Sequence, residues 1–253
     1  LGYSLILCRT LDRPELEEKA IEHLRQLNVD GIIVLPVHGE NYNPSVLRLV
    51  LERMPMSFVD RRLRGLAASF VGTNNIEAAK IGVSHLIDLG RQRIAFLSGP
   101  IKDTSAIEER REGFVEALAD YGLPLDTDLW MTYVDSFRYG IISCEQAKAN
   151  LSQMREHLSA HPDIDAVFSV EYEGAVLARE AARSLGLKVP EDIAIVCFDC
   201  PTNCYLPPAF THLKQHEYDI GQKALDIVHA QILGKGQGNA KVYIPADLIR
   251  GES

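Results

Sequence analysis

Short apolar runs that do not alternate with polar residues recur along this chain: Tyr3–Cys8, Gly31–Leu35, Ser57–Asp60, Ile94–Leu97, Ala166–Ser169 and Ile193–Phe198. Successive side chains of a strand point to opposite faces, so a strand with one wet face alternates. Runs of Ile, Val and Phe without alternation have no wet face and must be covered on both sides. Stripes of helical period lie between them. Ala20, Ile21, Leu24 and Leu27 form one, followed by Asn28; Ile76, Ala79, Val83, Leu86 and Ile87 form another, stopped by Gly90. Ile107, Phe114, Leu118 and Tyr121 precede Gly122, while Ile220, Ala224, Ile227 and Val228 precede Gly234. Repeated strand–helix units predict an α/β fold built on doubly wound parallel sheet. The Gly234–Gly238 stretch reads as a surface loop.

In such sheets ligands bind beyond the carboxyl ends of the strands. The run from Ile193 drives straight into Asp199, an acid flanked by Cys197 and Cys200, with Cys204 beyond. Asp60 stands in the same kind of place after Ser57-Phe58-Val59. Each acid could serve a ligand, though taken singly each more readily reads as capping a helix or holding a loop.

Several function classes are excluded or disfavoured. Five cysteines, an odd number, in a chain large enough to need no staples point to a reducing compartment. Cys197, Cys200 and Cys204 lack the second knuckle a zinc site needs, so they read as packing thiols and no metal is expected. A net charge of −9 argues against this segment itself gripping nucleic acid. No apolar run approaches the about 20 residues that span a bilayer. The stretch from Leu1 to Cys8 has no basic leader, so a cytoplasmic location is expected. His157 and His161, just before Pro162, read as a surface pair at a helix end. The aromatics between Tyr121 and Tyr139 read mostly as core, though one at a cleft would suit a sugar or a flat ring. No dinucleotide or phosphate-loop fingerprint, nucleophile elbow or zinc-protease motif occurs, so neither a cofactor nor a catalytic residue is expected.

An ordered set of stretches resembles the effector-binding core of the lactose/galactose repressor (LacI/GalR) family, whose fold is that of type I periplasmic binding proteins. They are Asn74-Asn75, the run from His85 through Leu89-Gly90-Arg91-Gln92-Arg93-Ile94 to Pro100, Arg110-Arg111-Glu112-Gly113-Phe114, Gly186 through Val189-Pro190-Glu191-Asp192-Ile193 into Phe198-Asp199, Leu206–Thr211, Gly221 and Arg250-Gly251. The likeness covers essentially the whole chain. It implies two doubly wound parallel-sheet lobes joined by three crossovers, near Ser98–Pro100, Thr211–Gln215 and Lys241–Tyr243. The first lobe would be residues 1–98 plus 216–240, the second 99–215 plus 241–253. A small-molecule effector, a sugar or related metabolite, would bind in the cleft between them.

The resemblance carries site residues over one at a time. Arg110 matches the family arginine that reaches into the cleft, and Asp199 the acid that accepts effector hydroxyls or ring N–H groups. Asp60 matches the acid ending the strand before Arg61, and Thr73 falls on the cleft wall. Phe137 approximates the stacking aromatic, with Tyr139 as its competitor. Where family members often carry Asn-Asp, this chain has Glu171-Tyr172, which changes the polar pattern of the pocket. Asn74 replaces the usual acid, and Cys197 and Cys200 replace the common Gly and second Asp. The family's DNA-binding headpiece, first strand and first helix have no counterpart in these residues. The reading is then a ligand-responsive regulator, a repressor, that dimerises and meets operator DNA through a headpiece outside this chain. A solute-binding protein for a transporter is the alternative, and an α/β enzyme the third reading. Arg110 and Asp199 are expected to share one ligand, with modest effect of either on folding.

Overall fold

The computed structural model describes residues 2–37, 43–63, 65–99, 104–132, 143–201, 205–236 and 238–253. The chain divides into two compact units: Leu1–Gly72 with Asp103–Ser105 and Glu217–Ile244, and Thr73–Lys102 with Ala106–His216 and Pro245–Ser253.

The first unit holds helices α1 (Pro14–Gln26) and α2 (Pro44–Leu51) and strands β1 (Ile32–Val34), β2 (Met56–Val59) and β3 (Ser69–Thr73), whose last residue is counted with the second unit. Helix α1 starts with Pro14 in its first turn, where the missing N–H is no loss. Glu15 and Glu17 in that turn and His23 and Arg25 in the last complement the helix dipole. The side chain of Asn43 caps α2 by accepting from the Ser45 N–H at 3.0 Å. The three strands run parallel, with Ile32 opposite Met56 and Ser57 opposite Ser69. Ile21, Val46, Leu49, Phe58 and Phe70 are buried together on one side of the sheet.

The second unit contains helices α3 (Asn75–Asp88), α4 (Ser105–Asp120, whose first residue is counted with the first unit), α5 (Cys144–Ala160) and α6 (Tyr172–Ser184). Its sheet is built from β4 (Ile94–Leu97), β5 (Ala166–Ser169), β6 (Ala194–Phe198) and β7 (Thr211–Lys214). Returning to the first unit, α7 (Glu217–Ile232) adds Ile220 and Ala224 beside Val71 on that sheet's other side, and β8 (Lys241–Ile244) completes the order β1-β2-β3-β8. Strand β9 (Asp247–Ile249) pairs antiparallel with β7 and closes the second sheet, ordered β4-β5-β6-β7-β9. Residues of β4 part by parity: Ile94 and Phe96 join the core under α3 and α4, Ala95 and Leu97 the one under α5 and α6. Hence the absence of alternation in the sequence: both faces of these strands are buried. Helices α3 and α4 approach closely at Gly113, where a Cβ would lie 2.2 Å from the carbonyl oxygen of Ile76.

Three sequence expectations need correction. Tyr3–Cys8 is not a strand: it joins no ladder, and Leu5 and Leu7 are 92% and 82% exposed. Apolar, β-branched composition favours strand but cannot supply the neighbouring backbone that makes one. Residues 73–98, expected in the first lobe, belong to the second unit, because Ala78, Ala79, Val83 and Leu86 of α3 share a core with Phe168 and Phe198 and β4 pairs with β5. The chain therefore leaves the first unit at Gly72, before α3, where Ser98–Pro100 was expected. The last division falls after Ile244, so β8 lies wholly in the first unit.

The rings of His157 and His161 stand 4.8 Å apart at the end of α5. Burial lowers the pKa of His157, with the charge of His161 adding to the effect, while its contact with the Leu129 carbonyl opposes it. The unfolded chain thus takes up this proton first as pH falls. The stability contributed by neutral His157 is complete above about pH 6.5 and is lost as pH falls from there through its lowered folded pKa. His157→Gln is expected to flatten the part of the melting-temperature profile just below pH 6.5, leaving the more acidic carboxylate limb in place. An unchanged profile across that window would refute this assignment.

Candidate functional site

The carboxyl end of the second sheet gathers polar side chains that the strands alone would not place together. Strand β6 is buried along its whole length to Phe198. The next residue, Asp199, has φ 58, a left-handed conformation that Asp tolerates better than most residues. Its N–H donates to the carbonyl of Leu213 on β7 at 3.0 Å. The turn swings its carboxylate toward Gln215, just past the end of β7. The Gln215 side-chain amide donates to Oδ2 of Asp199 at 2.7 Å, and its backbone N–H lies 3.4 Å from Oδ1. The Oε1 of Gln215 accepts from Thr73 Oγ1 at 2.7 Å and from Arg110 at 3.3 Å. These partners fix the orientation of the amide: its oxygen faces two donors and its nitrogen an acceptor.

Arg110 arrives from the second turn of α4 and is only 6% exposed. Its Nε donates to Asn75 Oδ1 at 2.9 Å, and one terminal nitrogen donates to the carbonyl oxygen of Val170 at 2.7 Å. Its guanidinium carbon sits 3.8 Å from the centre of the Phe198 ring, a cation–π stack. Asn75 in turn donates to buried Glu109 at 3.2 Å. The cation is thus desolvated but held by acceptors on three elements, the condition under which a buried charge is tolerated.

Glu171 occupies the position before α6, directly after Val170, and its carbonyl accepts from Ser169 Oγ at 2.7 Å. Strands β5 and β6 are parallel with Ser169 opposite Cys197. Glu171 and Asp199 each lie two residues beyond that last pair, outside the ladder.

Of the residues singled out in the sequence, Thr73, Arg110 and Asp199 meet through Gln215, and Glu171 follows Val170, whose carbonyl accepts from Arg110. Asp60 lies in the first unit. It repeats the turn of Asp199, with φ 62 after the end of β2, and its N–H donates to Val71. Its carboxylate lies 3.8 Å from Arg61. Arg61 also donates to Asp12 at 3.2 Å and to the Val37 carbonyl at 3.2 Å. Phe137 and Tyr139 lie outside the described residues. The sequence reading missed Gln215, Asn75 and Glu109 as site members. Nothing local marks them; Gln215 stands within a stretch noted only as a crossover.

Cys197 is buried, and its thiol donates to the carbonyl of Asp199 at 3.1 Å. Burial pushes its pKa well up, with the nearby charges of Cys200, Asp199 and Glu173 adding to the shift. The protonated thiol is a packing group that steadies the Asp199 turn. Cys204 lies outside the described residues. Among the described residues no three His, Cys, Asp or Glu side chains stand as a metal-holding group.

Residues 83–253 match the model of the periplasmic binding protein-like domain. The ribose operon repressor of Halalkalibacterium halodurans is 29% identical over 257 residues, covering 100% of this chain and 70% of the repressor. The transcriptional regulator PtxS of Pseudomonas aeruginosa is also 29% identical, over 98% of this chain and 68% of its own. Among solved structures, a complex of the transcriptional regulator CelR with cellobiose superposes with a TM-score of 0.80 at 28% identity, over 94% of this chain and 70% of that one. The transcription regulator CcpA of Lactococcus lactis gives 0.81 at 26% identity, over 99% of this chain and 88% of that one.

Proposed function

Since the chain belongs to the periplasmic binding protein-like domain family, in the form carried by LacI-family transcriptional regulators, we propose that its second unit receives a small polar effector, a sugar or related metabolite, at the Asp199–Gln215–Arg110 rim. The observation that carries this reading is the network itself. It gathers a carboxylate, an amide and a guanidinium at the carboxyl end of a parallel sheet, where α/β proteins bind ligands. Asp199 is half-buried and so still reachable by a ligand hydroxyl. The regulatory reading takes precedence over transport, because the matched relatives are named as a ribose operon repressor and transcriptional regulators.

The chain then acts as the effector-binding and dimerisation core of a cytoplasmic repressor. Effector binding shifts the population of core conformations and with it the DNA affinity of a headpiece elsewhere in the protein. Thr73 and Glu171, both of the second unit, complete the proposed set.

A thermal-shift screen of this 253-residue chain against neutral and amino sugars, nucleosides, sugar phosphates and sugar acids tests the reading. Binding to the native state alone raises the melting temperature by mass action, by about 2.7 kcal/mol of stability at a hundred times Kd. At least one class should give a saturable shift without being turned over. Stabilisation by none of them, or turnover of the ligand that binds, would reject the effector-core reading.

A further inference from the structure

The rim network contains the residues at which the chain changes unit. Gly72–Thr73, His216–Glu217 and Ile244–Pro245 are crossovers from one unit to the other. Thr73 is the first residue past one crossover, Gln215 and His216 are the last two before the next, and Asp247 opens β9 just past the third. All four are counted with the second unit, and they are bonded to one another there. The Thr73 hydroxyl donates to Gln215 Oε1 at 2.7 Å. His216 Nε2 lies 3.0 Å from the Asp247 carboxylate, and Asp247 faces Lys214 in the pairing of β7 with β9. The same Gln215 side chain donates to Asp199 Oδ2 at 2.7 Å, so one amide joins the rim acid to the chain at the first crossover.

That link is short and stiff. A carboxylate has about four acceptor positions, so a ligand hydroxyl can donate to Asp199 while Gln215 stays bonded to it. Both then draw on the same pair of oxygens, and hydrogen bonds in a chain polarise one another. Thr73 is only 1% exposed. Its hydroxyl would be left unmet if the Gln215 oxygen moved away, and an unmet buried donor is costly. A displacement of the Asp199 carboxylate therefore carries the amide with it, and the amide carries Thr73. Arg110, which donates to the same Oε1 at 3.3 Å, keeps the amide from turning over.

We propose, resting on the effector-binding reading above, that Gln215 is a positioning residue that transmits occupancy of the Asp199 rim to the crossover at Thr73. Its action is on Asp199 and Thr73 and needs no contact of its own with the effector. Regulation then passes through a single amide: the nitrogen reads the acid and the oxygen holds the crossover.

Hydrogen exchange of the intact 253-residue chain, read by mass spectrometry, tests this. The probes are D-ribose, D-glucose, D-glucosamine, D-ribose 5-phosphate, D-gluconate and cellobiose. A probe that gives a saturable melting shift should slow exchange by about fivefold or more in the peptide around Gln215 and also in the one around Thr73, the low end of ordinary coupling between sites. In Gln215→Leu saturated with that probe, the slowing around Thr73 should vanish. Thr73→Val removes the hydroxyl but leaves the Asp199–Gln215 bonds, so it should lose the response around Thr73 and keep the one around Gln215. It carries the test where Gln215→Leu binds too weakly to saturate. Thr73→Ser, which restores the hydroxyl, should restore the response. Thermal melts establish that the variants are folded; a purely structural role would lower their stability and leave the probe-dependent slowing in place. Slowing around Thr73 that persists in either folded, saturated variant overturns the proposal and leaves the effector-binding reading intact. So does its absence from the unsubstituted chain with a probe bound. Binding of no probe class removes the underlying reading and this inference with it.

Discussion

Arg110→Ala is expected to lower both ligand affinity and the stability of the second unit, affinity by about a hundredfold and stability by about 3 kcal/mol. Only a modest folding effect was expected from the sequence; burial changes that. The substitution strands the Asn75 amide oxygen and the Val170 carbonyl, takes from the Gln215 amide oxygen one of its two donors, and uncovers Phe198. Glu109 stays buried and tied to Asn75, which has lost its own link to Arg110. Stability and recognition are therefore coupled at Arg110, and a cleaner probe of recognition is Asp199→Asn. That change keeps the side-chain shape and the tolerance of a left-handed backbone, where alanine at φ 58 would cost about 1 kcal/mol. Asn removes the charge and keeps one oxygen for the Gln215 amide, losing only the longer 3.4 Å contact to its backbone N–H. Affinity for whichever sugar the screen identifies should therefore fall about ten- to a hundredfold with a small change in melting temperature. Calorimetric titration beside thermal melts separates the effects. Unchanged affinity in Asp199→Asn would make the network structural and disprove its role in binding.

Phe168→Ala is expected to destabilise the second unit by about 3–5 kcal/mol, through lost burial and the cavity left behind. Phe168 is fully buried at the middle of β5, with ring centres of Phe96 at 6.3 Å, Phe114 at 5.8 Å and Phe198 at 6.2 Å. Helices α3 and α4 rest on this aromatic cluster, and Phe198 is the ring beneath Arg110. The cavity should therefore loosen the floor of the site as well as the core. Denaturant melts give the stability change directly. Phe168→Leu should cost less than the alanine variant, because it refills part of the volume. A loss below about 1 kcal/mol for alanine would mean the cluster collapses freely and does not support the site.

Much of the sheet was legible in the sequence. Strands β4, β5 and β6 lie within one residue of the runs Ile94–Leu97, Ala166–Ser169 and Ile193–Phe198. Strands buried on both faces must be apolar at every position, and that signature is local. The same reasoning set Asp199 just past a strand's end, and the ordered resemblance singled out Arg110. Strands β3, β7 and β8 escaped notice because Ser, Thr, His and Lys interrupt them, and β9 because it is only three residues long and begins with Asp247.

Tertiary structure decided the rest. An amphipathic stripe reports that one face of α3 is buried but not which sheet covers it, so residues 73–98 were placed with the wrong unit. Apolar composition at Tyr3–Cys8 could not provide a partner strand. The site network depends on contacts far apart along the chain: Arg110 reaches Val170 across 60 positions and Asn75 across 35, and Thr73 reaches Gln215 across 142. Residue type and spacing are properties of a segment, and they determined the strands, the helices and the acid at the rim. Hydrogen bonds between segments exist only once the chain has folded, and they alone made Gln215 the hub that joins Thr73, Arg110 and Asp199.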